Sequence, residues 1–475
     1  MRYVQGKDRE QSTLFPALFD DYVTENNPVR FIDYFADNEL DFVELDFTHC
    51  EPKDTGRMPY SPADLLKLYI YGYLNRIRSS RRLETETHRN VELMWLNRSL
   101  RPDYKTIADF RKDNKKAIRN VCRAFTLLCR EKGLFSLEFF AIDGSKFSAV
   151  ANNGKAFTKD KLEKLVKKID QHVDEYLETL DQNDDDEKEV AKPTAEQLQQ
   201  KIKELKERRK LYESYQKRLE ESGETQLVLT DSDSRLMRTG HNGWDVCYNV
   251  QIAVDKKHKL IAEFDVTNDG NDFHQLLNMT NKLKTSFELD SFGCAADTGY
   301  FQKDDIKECI DNSIDCYVPE PQKSHNRKKG QFTNKDFQYN PDDDSYTCPA
   351  GHKLDKRETS VRKGRKEFFY RTSGCKNCPI RLKCTSSKAG RYIRRWEHEH
   401  IIEQMQQKLE ENPQYMQDRR NMAEHPFGTI KQAFGYSHFL CKGLNKVQTE
   451  MSLAVLAYNM RRVFNIKGAK ELIPT

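Results

Sequence analysis

The chain has 475 residues, 32% of them charged, with a formal net charge of +4 and a mean hydropathy of -0.86. That length accommodates two or three domains with a sizeable core. No apolar run approaches the roughly 18 residues a spanning helix needs, and the start, MRYVQGKDRE, has no apolar targeting segment, so a cytoplasmic protein without a membrane partner is expected. Twelve cysteines in such a chain predict reduced thiols or a metal site rather than a disulfide framework.

The charge is unevenly spread. Arg57 to Arg123 carries 16 Lys and Arg against 7 Asp and Glu, and Gln322 to Trp396 carries 20 against 7, which leaves the remainder acidic. Two basic regions on an otherwise acidic chain fit a polyanion partner, because each phosphate neutralised by Lys or Arg releases counterions. The competing reading is a solvated charged surface.

Residues 1–135 read as helical. In SPADLLKLYIYGYLNRI, Ser61 is placed to cap a helix that begins at Pro62, and apolar residues follow at helical spacing. TIADFRKDNKKAIRNVCRAFTLLCREKG continues the pattern, with Gly133 as its stop. Short basic helices suit a DNA-binding module of helix-turn-helix type or, alternatively, a helical packing or dimerisation domain. LEFFAIDGSKFSAVA then reads as a strand ending at Asp143, a bend at Gly144 and a second extended run. Residues 159–180 and 194–221 are charged, apolar-periodic helices around the acidic loop DQNDDDEKE, so a helical hairpin is inserted at 155–225, as scaffold or as a coiled-coil surface.

WDVCYNVQIAVD and KLIAEFDVTN predict a strand pair turning at Lys256 to His258, and a helix follows from about His274 to Thr285. SFGCAADTGYF is a short strand running into Asp297, then QKDDIKECIDN reads as helix and IDCYVP as strand. This order is α/β. Ligands of open α/β sheets gather at the carboxyl ends of strands, so Asp143 and Asp297, each ending an apolar strand, are candidates to meet.

A third acid stands in RRNMAEHPFGTIKQAF, where Glu424 is the lone carboxylate among Arg419, Arg420 and Lys431. On a helix, Arg420, Glu424 and Lys431 fall within roughly 60° of one face, although Pro426 predicts a start or kink beside Glu424. Taken alone, Arg420 and Glu424 form an i,i+4 salt bridge. Taken with Asp143 and Asp297, Glu424 completes three carboxylates able to bind two Mg2+ ions for phosphoryl transfer, with the cations holding nucleic-acid phosphates. His425 is expected to be structural.

A cysteine cluster gives the second chemical signal. Cys348 begins CPAGH, while Cys375, Cys378 and Cys384 lie in GCKNCPIRLKC, a set able to close a tetrahedral structural Zn2+ site, with His352 as a substitute ligand. These residues belong to a basic Cys-rich insertion at 320–400. Its aromatics, Phe368, Phe369, Tyr370, Tyr392 and Trp396, read as core residues before base-stacking ones. Asp231, Asp233, Asp269 and Asp272 lie in turn-like Asp/Asn/Gly contexts, and Cys294 reads as a small buried apolar group.

Together these segments resemble the DDE transposases of bacterial insertion sequences. The resemblance runs from YSPADLLKLYIYGYLNRIRSSRRLE and RPDYKTIADFRK, through AIDGSKFSAVAN, YNVQIAVDKKHKLIAEFDVTNDGND and AADTGYF, to MAEHPFGTIKQAFG. It implies a ribonuclease H-like mixed sheet with helices for residues 136–475, preceded by the helical DNA-binding domain at 1–135. It further implies that Asp143, Asp297 and Glu424 are the triad, holding two Mg2+ (or Mn2+) ions, and that Arg420 and Lys431 are the DNA-binding residues flanking the catalytic Glu. The signature Tyr three residues before Arg420 is Gln417 here, and the nearest Tyr is Tyr415. The implied reaction is hydrolysis at the element's ends followed by joining of 3′-hydroxyls to target DNA. The expected partners are double-stranded DNA, as terminal inverted repeats and target, and a second copy in a homodimer at the nucleoid. A transposase-derived DNA-binding protein without activity and a structure-specific metal-dependent nuclease are the alternatives.

Overall fold

The computed structural model of the protein describes residues 18–51, 58–185, 195–240, 243–321, 330–362 and 364–474. The start of the expected helical domain, residues 186–189 of the expected acidic loop and residues 322–329 at the beginning of the basic insertion lie outside the described residues, while 181–185 of that loop instead continue the preceding helix. The first part is helical: α1 (Pro28–Asn38), α2 (Pro62–Leu74), α3 (Ser80–Thr87), α4 (Val91–Leu96), α5 (Tyr104–Asp113) and α6 (Lys115–Glu131). Ser61 Oγ accepts from the N–H of Ala63, capping α2, and Gly133 beyond α6 has φ +67°.

The central sheet is built on β1 (Phe139–Ser148), which corrects the expectation of a break at Asp143. β1 runs straight through Gly144 and pairs antiparallel with β5 (Gly243–Asp255) from Phe140↔Asp255 to Ser148↔Cys247. Glycine is needed at 144 for room, not for bending: a Cβ there would stand 2.4 Å from Gln251 Nε2 and 2.8 Å from Asp272 Oδ1. β5 is buried at every residue from Val246 to Asp255, because sheet and helices cover both its faces.

On one side β5 pairs with β4 (Arg235–Thr239) and β6 (Ile261–Thr267), both antiparallel. On the other side of β1 lie β7 (Phe292–Ala295) and β8 (Ile314–Tyr317), both parallel to their neighbours. The sheet is therefore mixed, in the order β4-β5-β1-β7-β8 with β6 on β5. Helices α9 (Gln275–Phe287) and α10 (Lys303–Asp311) form the crossovers, as α/β alternation requires. β4 follows the turn-like Asp231 and Asp233 and carries no strand signal of its own; its partner β5 supplies the ladder.

The helical hairpin, α7 (Lys159–Asp185) and α8 (Ala195–Ser222), is tied at its base by β2 (Ala156–Thr158) and β3 (Gln226–Val228). The basic segment forms its own antiparallel sheet from β9 (Gln338–Asn340), β10 (Ser345–Thr347), β11 (Lys353–Arg362), β12 (Arg365–Arg371) and β13 (Tyr392–Trp396), with a short helix α11 (Arg381–Cys384) between the last two strands. Helices α12 (Glu399–Glu411), α13 (Gln414–Gly428) and α14 (Leu444–Lys467) complete the chain. A single apolar cluster runs from Val23 to Leu472, with α14 buried among the N-terminal helices and β6. Phe464 packs edge-on against Phe31 of α1, and the Asn459 amide bonds both the N–H and the C=O of Ile261. No described helix is long and apolar enough to cross a membrane.

Candidate active site

The two aspartates meet because of strand register. β1 and β7 are parallel with Ala141 opposite Ala295, so Asp143 and Asp297, each two residues further on, leave the pair at the same height. Asp297 caps a short 3-10 turn, its Oδ1 accepting from Gly299 N–H at 2.8 Å, while Asp143 Oδ1 accepts from Gly144 N–H at 3.0 Å. Between them stands Arg419 of α13. Its Nη2 bonds Asp143 Oδ1 and lies 3.7 Å from Asp297 Oδ2.

Burial pushes the Asp143 carboxyl up to about 6; Arg419 opposes this, and the negative charges of Asp297 and Asp272 add to it. Asp272, read from sequence as a turn residue, in fact borders this pair. Its Oδ1 accepts from Asn249 Nδ2 and Gln251 Nε2, both at 2.8 Å, and is 3.7 Å from Lys146 Nζ. Gln251 is in turn bonded by the buried Tyr300 hydroxyl. The sequence signals for Asp272 were cancelled by its Asn/Gly neighbours; only the fold of the β6–α9 connection brings it here.

α13 is one helix through Pro426, followed directly by a π-helical turn at Thr429–Ala433, so Glu424 lies mid-helix rather than at a start. Its buried face carries Met422, Ala423, Pro426 and Phe427, and Arg419 reaches the aspartates from one turn before Ala423. Glu424, five residues after Arg419, is turned roughly 140° from it around the helix. Glu424 and Arg420 are both exposed, and neither has a hydrogen-bond or ion-pair partner among the described residues, so the expected i,i+4 salt bridge does not form. An arginine on a helix's apolar face was the available signal for Arg419; the spacing argument instead favoured Arg420.

Lys431 is directed at β1. Its Nζ donates to Ser145 Oγ at 2.7 Å and to the Lys146 carbonyl at 2.6 Å and lies over the Phe147 ring; burial lowers its pKa. His425 turns to Tyr458, with Nδ1 2.9 Å from a hydroxyl that donates to the Lys259 carbonyl. Its pKa is lowered by burial first, which fits a structural neutral imidazole. Tyr415 stacks on Tyr317 and Phe139. Asp231 accepts from the Tyr248 hydroxyl and Gly443 N–H, Asp233 from Leu444 N–H, and Asp269 from Gln275 Nε2, all as structural anchors.

Cys348, Cys375, Cys378 and Cys384 line one small cavity of about 20 Å³ together with His352, and none is in a disulfide. Cys348 Sγ accepts from His352 N–H at 3.3 Å. Burial raises the Cys384 thiol, which also feels the other three thiols. The aromatics of the basic sheet divide: Phe368 and Tyr370 belong to its core and Trp396 to the main core, while Phe369 and Tyr392 lie 5.7 Å apart beside the guanidinium of Arg394. Cys294 is fully buried. Among the described residues, no group of three or more His, Cys, Asp or Glu side chains is arranged to hold a metal ion, at the aspartates or at the cysteines.

Residues 347–464 match the family model described as a transposase DDE domain, and residues 17–113 match a transposase domain (DUF772). The first match contains Arg419, Glu424 and the four clustered cysteines; Asp143 and Asp297 fall between the two matched segments. No curated protein matches. Among solved structures, a piggyBac transposase synaptic complex with hairpin DNA overlays 92% of this chain and 72% of its own at 7% identity, and a TM-score of 0.31 gives that overlay no weight.

Proposed function

We propose, taking as premise the insertion-sequence DDE transposase that the two family matches indicate, that this enzyme cleaves the ends of its element and joins the 3′-hydroxyls to target DNA through Asp143, Asp297 and Glu424. The observation that carries this reading is the parallel β1–β7 register, which sets two carboxylates side by side around one cation. That donor set is of hard oxygens and suits Mg2+ or Mn2+, with Glu424 as the free carboxylate on the adjacent helix. When bound, a pair of such ions activates the attacking oxygen and neutralises the leaving one. The chain's own part is placement: β1 and β7 fix the two aspartates, Lys431 braces β1 beside them, and exposed Arg420 is free to meet a phosphate. The strand order fits a ribonuclease H-like catalytic domain at 136–475 interrupted by 155–225 and 320–400, with a DNA-binding helical domain at 1–135.

The four clustered cysteines are proposed as a structural Zn2+ site of the basic sheet, because four reduced thiols line one small cavity; as placed they form no ligand group, so binding would have to draw them together. Zinc content of purified protein tests it: about one equivalent is expected, and none after Cys375→Ser with Cys378→Ser. Joining two element ends calls for a homodimer on DNA in the cytoplasm at the nucleoid.

A strand-transfer assay with DNA from the genomic borders of the reading frame decides the function. Cleavage and joining in Mg2+, both lost in Asp143→Asn, Asp297→Asn and Glu424→Gln, are expected. Cleavage without joining marks a nuclease, and DNA binding with neither marks an inactive derivative.

A further inference from the structure

We propose that Arg419 is a built-in counter-cation that competes with divalent metal for the Asp143–Asp297 pair, so that its guanidinium must withdraw before the site is loaded. The inference rests on the reading of that pair as the metal site.

Three observations carry it. First, one guanidinium nitrogen serves both carboxylates, bonding Asp143 Oδ1 and standing 3.7 Å from Asp297 Oδ2, so it takes the place a cation shared by the two acids needs. Mg2+ takes its oxygens at about 2.0–2.1 Å, and an ion held that closely cannot share the space with a guanidinium charge. Second, Arg419 is held at one end only. Its side chain is 14% exposed, yet its Nε is buried without a hydrogen-bond partner, as expected of a group recruited by charge rather than by a full hydrogen-bonding cradle. Third, arginine cannot lose its proton at the pH of the reaction, so the charge conflict is resolved only by movement, which its long flexible stem permits without shifting the packed face of α13. Arg420, one position on, faces solvent and makes no such contact, so the effect is specific to residue 419.

The proposal requires effects of opposite sign. Without metal, Arg419 relieves repulsion between the aspartates and stabilises the fold; with metal, it opposes binding. In the full-length chain titrated with Mn2+ alone by calorimetry, Arg419→Gln is expected to bind about tenfold more tightly than wild type. The same variant should melt below wild type in EDTA and gain more from added Mn2+. Equal or weaker Mn2+ binding overturns the proposal. Unchanged Mn2+ binding in Asp143→Asn and Asp297→Asn overturns the metal-site reading itself, a separate failure. A wild-type measurement covers a variant that fails to fold: phenylglyoxal labelling of Arg419, mapped by peptide mass, should rise severalfold with Mn2+, and unchanged or reduced labelling refutes the competition.

Discussion

The Asp143–Asp297 pair and the four-cysteine cavity are both candidate metal sites, and they are held in opposite ways. Asp143 stands on β1 and Asp297 two residues past the end of the adjacent β7, in a sheet whose apolar cluster extends through most of the chain, so their spacing follows from backbone register. The cysteines lie on short turns and helical turns beside a small sheet whose buried apolar core is Phe337, Tyr346, Leu354, Tyr370 and Ile393, with Cys348 and Cys384 packed against it. A large core can position ligands in advance, with an arginine balancing their charge. A core of five buried side chains with a few half-buried ones packed on it buries little apolar area, so the proposed zinc would add folding free energy there.

The comparison is broken most directly at the aspartates. Asp143→Asn or Asp297→Asn is expected to reduce DNA cleavage by roughly 100-fold or more, the scale of losing one preorganised charge at a reacting centre. The melting temperature should stay near that of wild type, because the strands rather than the carboxylates hold the site. Loss of folding in the Asn variants would show that the carboxylates are structural.

Metal removal gives the converse result at the cysteines. A strong chelator, or Cys378→Ser, should raise amide hydrogen exchange across β9 to β13 while leaving β1, β5 and β7 protected. Uniform protection in both regions would remove the contrast. Leu354→Ala, in the small core, should cost about 2–5 kcal/mol of local stability, seen as an early denaturant transition separate from that of the main sheet.

Gly144→Ala sharpens the register argument. Its Cβ would meet the Gln251 amide and the Asp272 carboxylate, so a loss of about 1–3 kcal/mol is expected in urea unfolding, with a fall in cleavage as Asp143 shifts. The smallest effect is that of Arg420→Ala. With no ion pair to lose, it should change stability by no more than about 0.5 kcal/mol while weakening DNA binding in a salt-dependent manner. An affinity and a salt slope equal to those of wild type would show that Arg420 meets no phosphate.

Much of this was legible in the sequence. The capped start of α2, the hairpin of α7 and α8, the β5–β6 pair and the approach of β7 to Asp297 all follow from local pattern, because periodicity and caps are written within a few residues of where they act. The same local logic misread Gly144 as a bend, and it read Asp272 rightly as opening a turn but without its closeness to the aspartate pair. In both cases the deciding neighbours, Gln251 for the glycine and Asn249 with Gln251 for the aspartate, lie on another strand.

By itself the sequence determined which residue types were available: three separated acids, a basic helix, four clustered thiols and a chain divided by charge. Only tertiary structure decided that Asp143 and Asp297 stand level, that Arg419 rather than Arg420 turns to them, and that Glu424 faces outward unpaired. The physical reason is range. Helix and strand preferences are settled by neighbours along the chain, whereas the partner of a buried charge is set by which strands pair and which helix face the core claims, and both depend on residues far away in sequence.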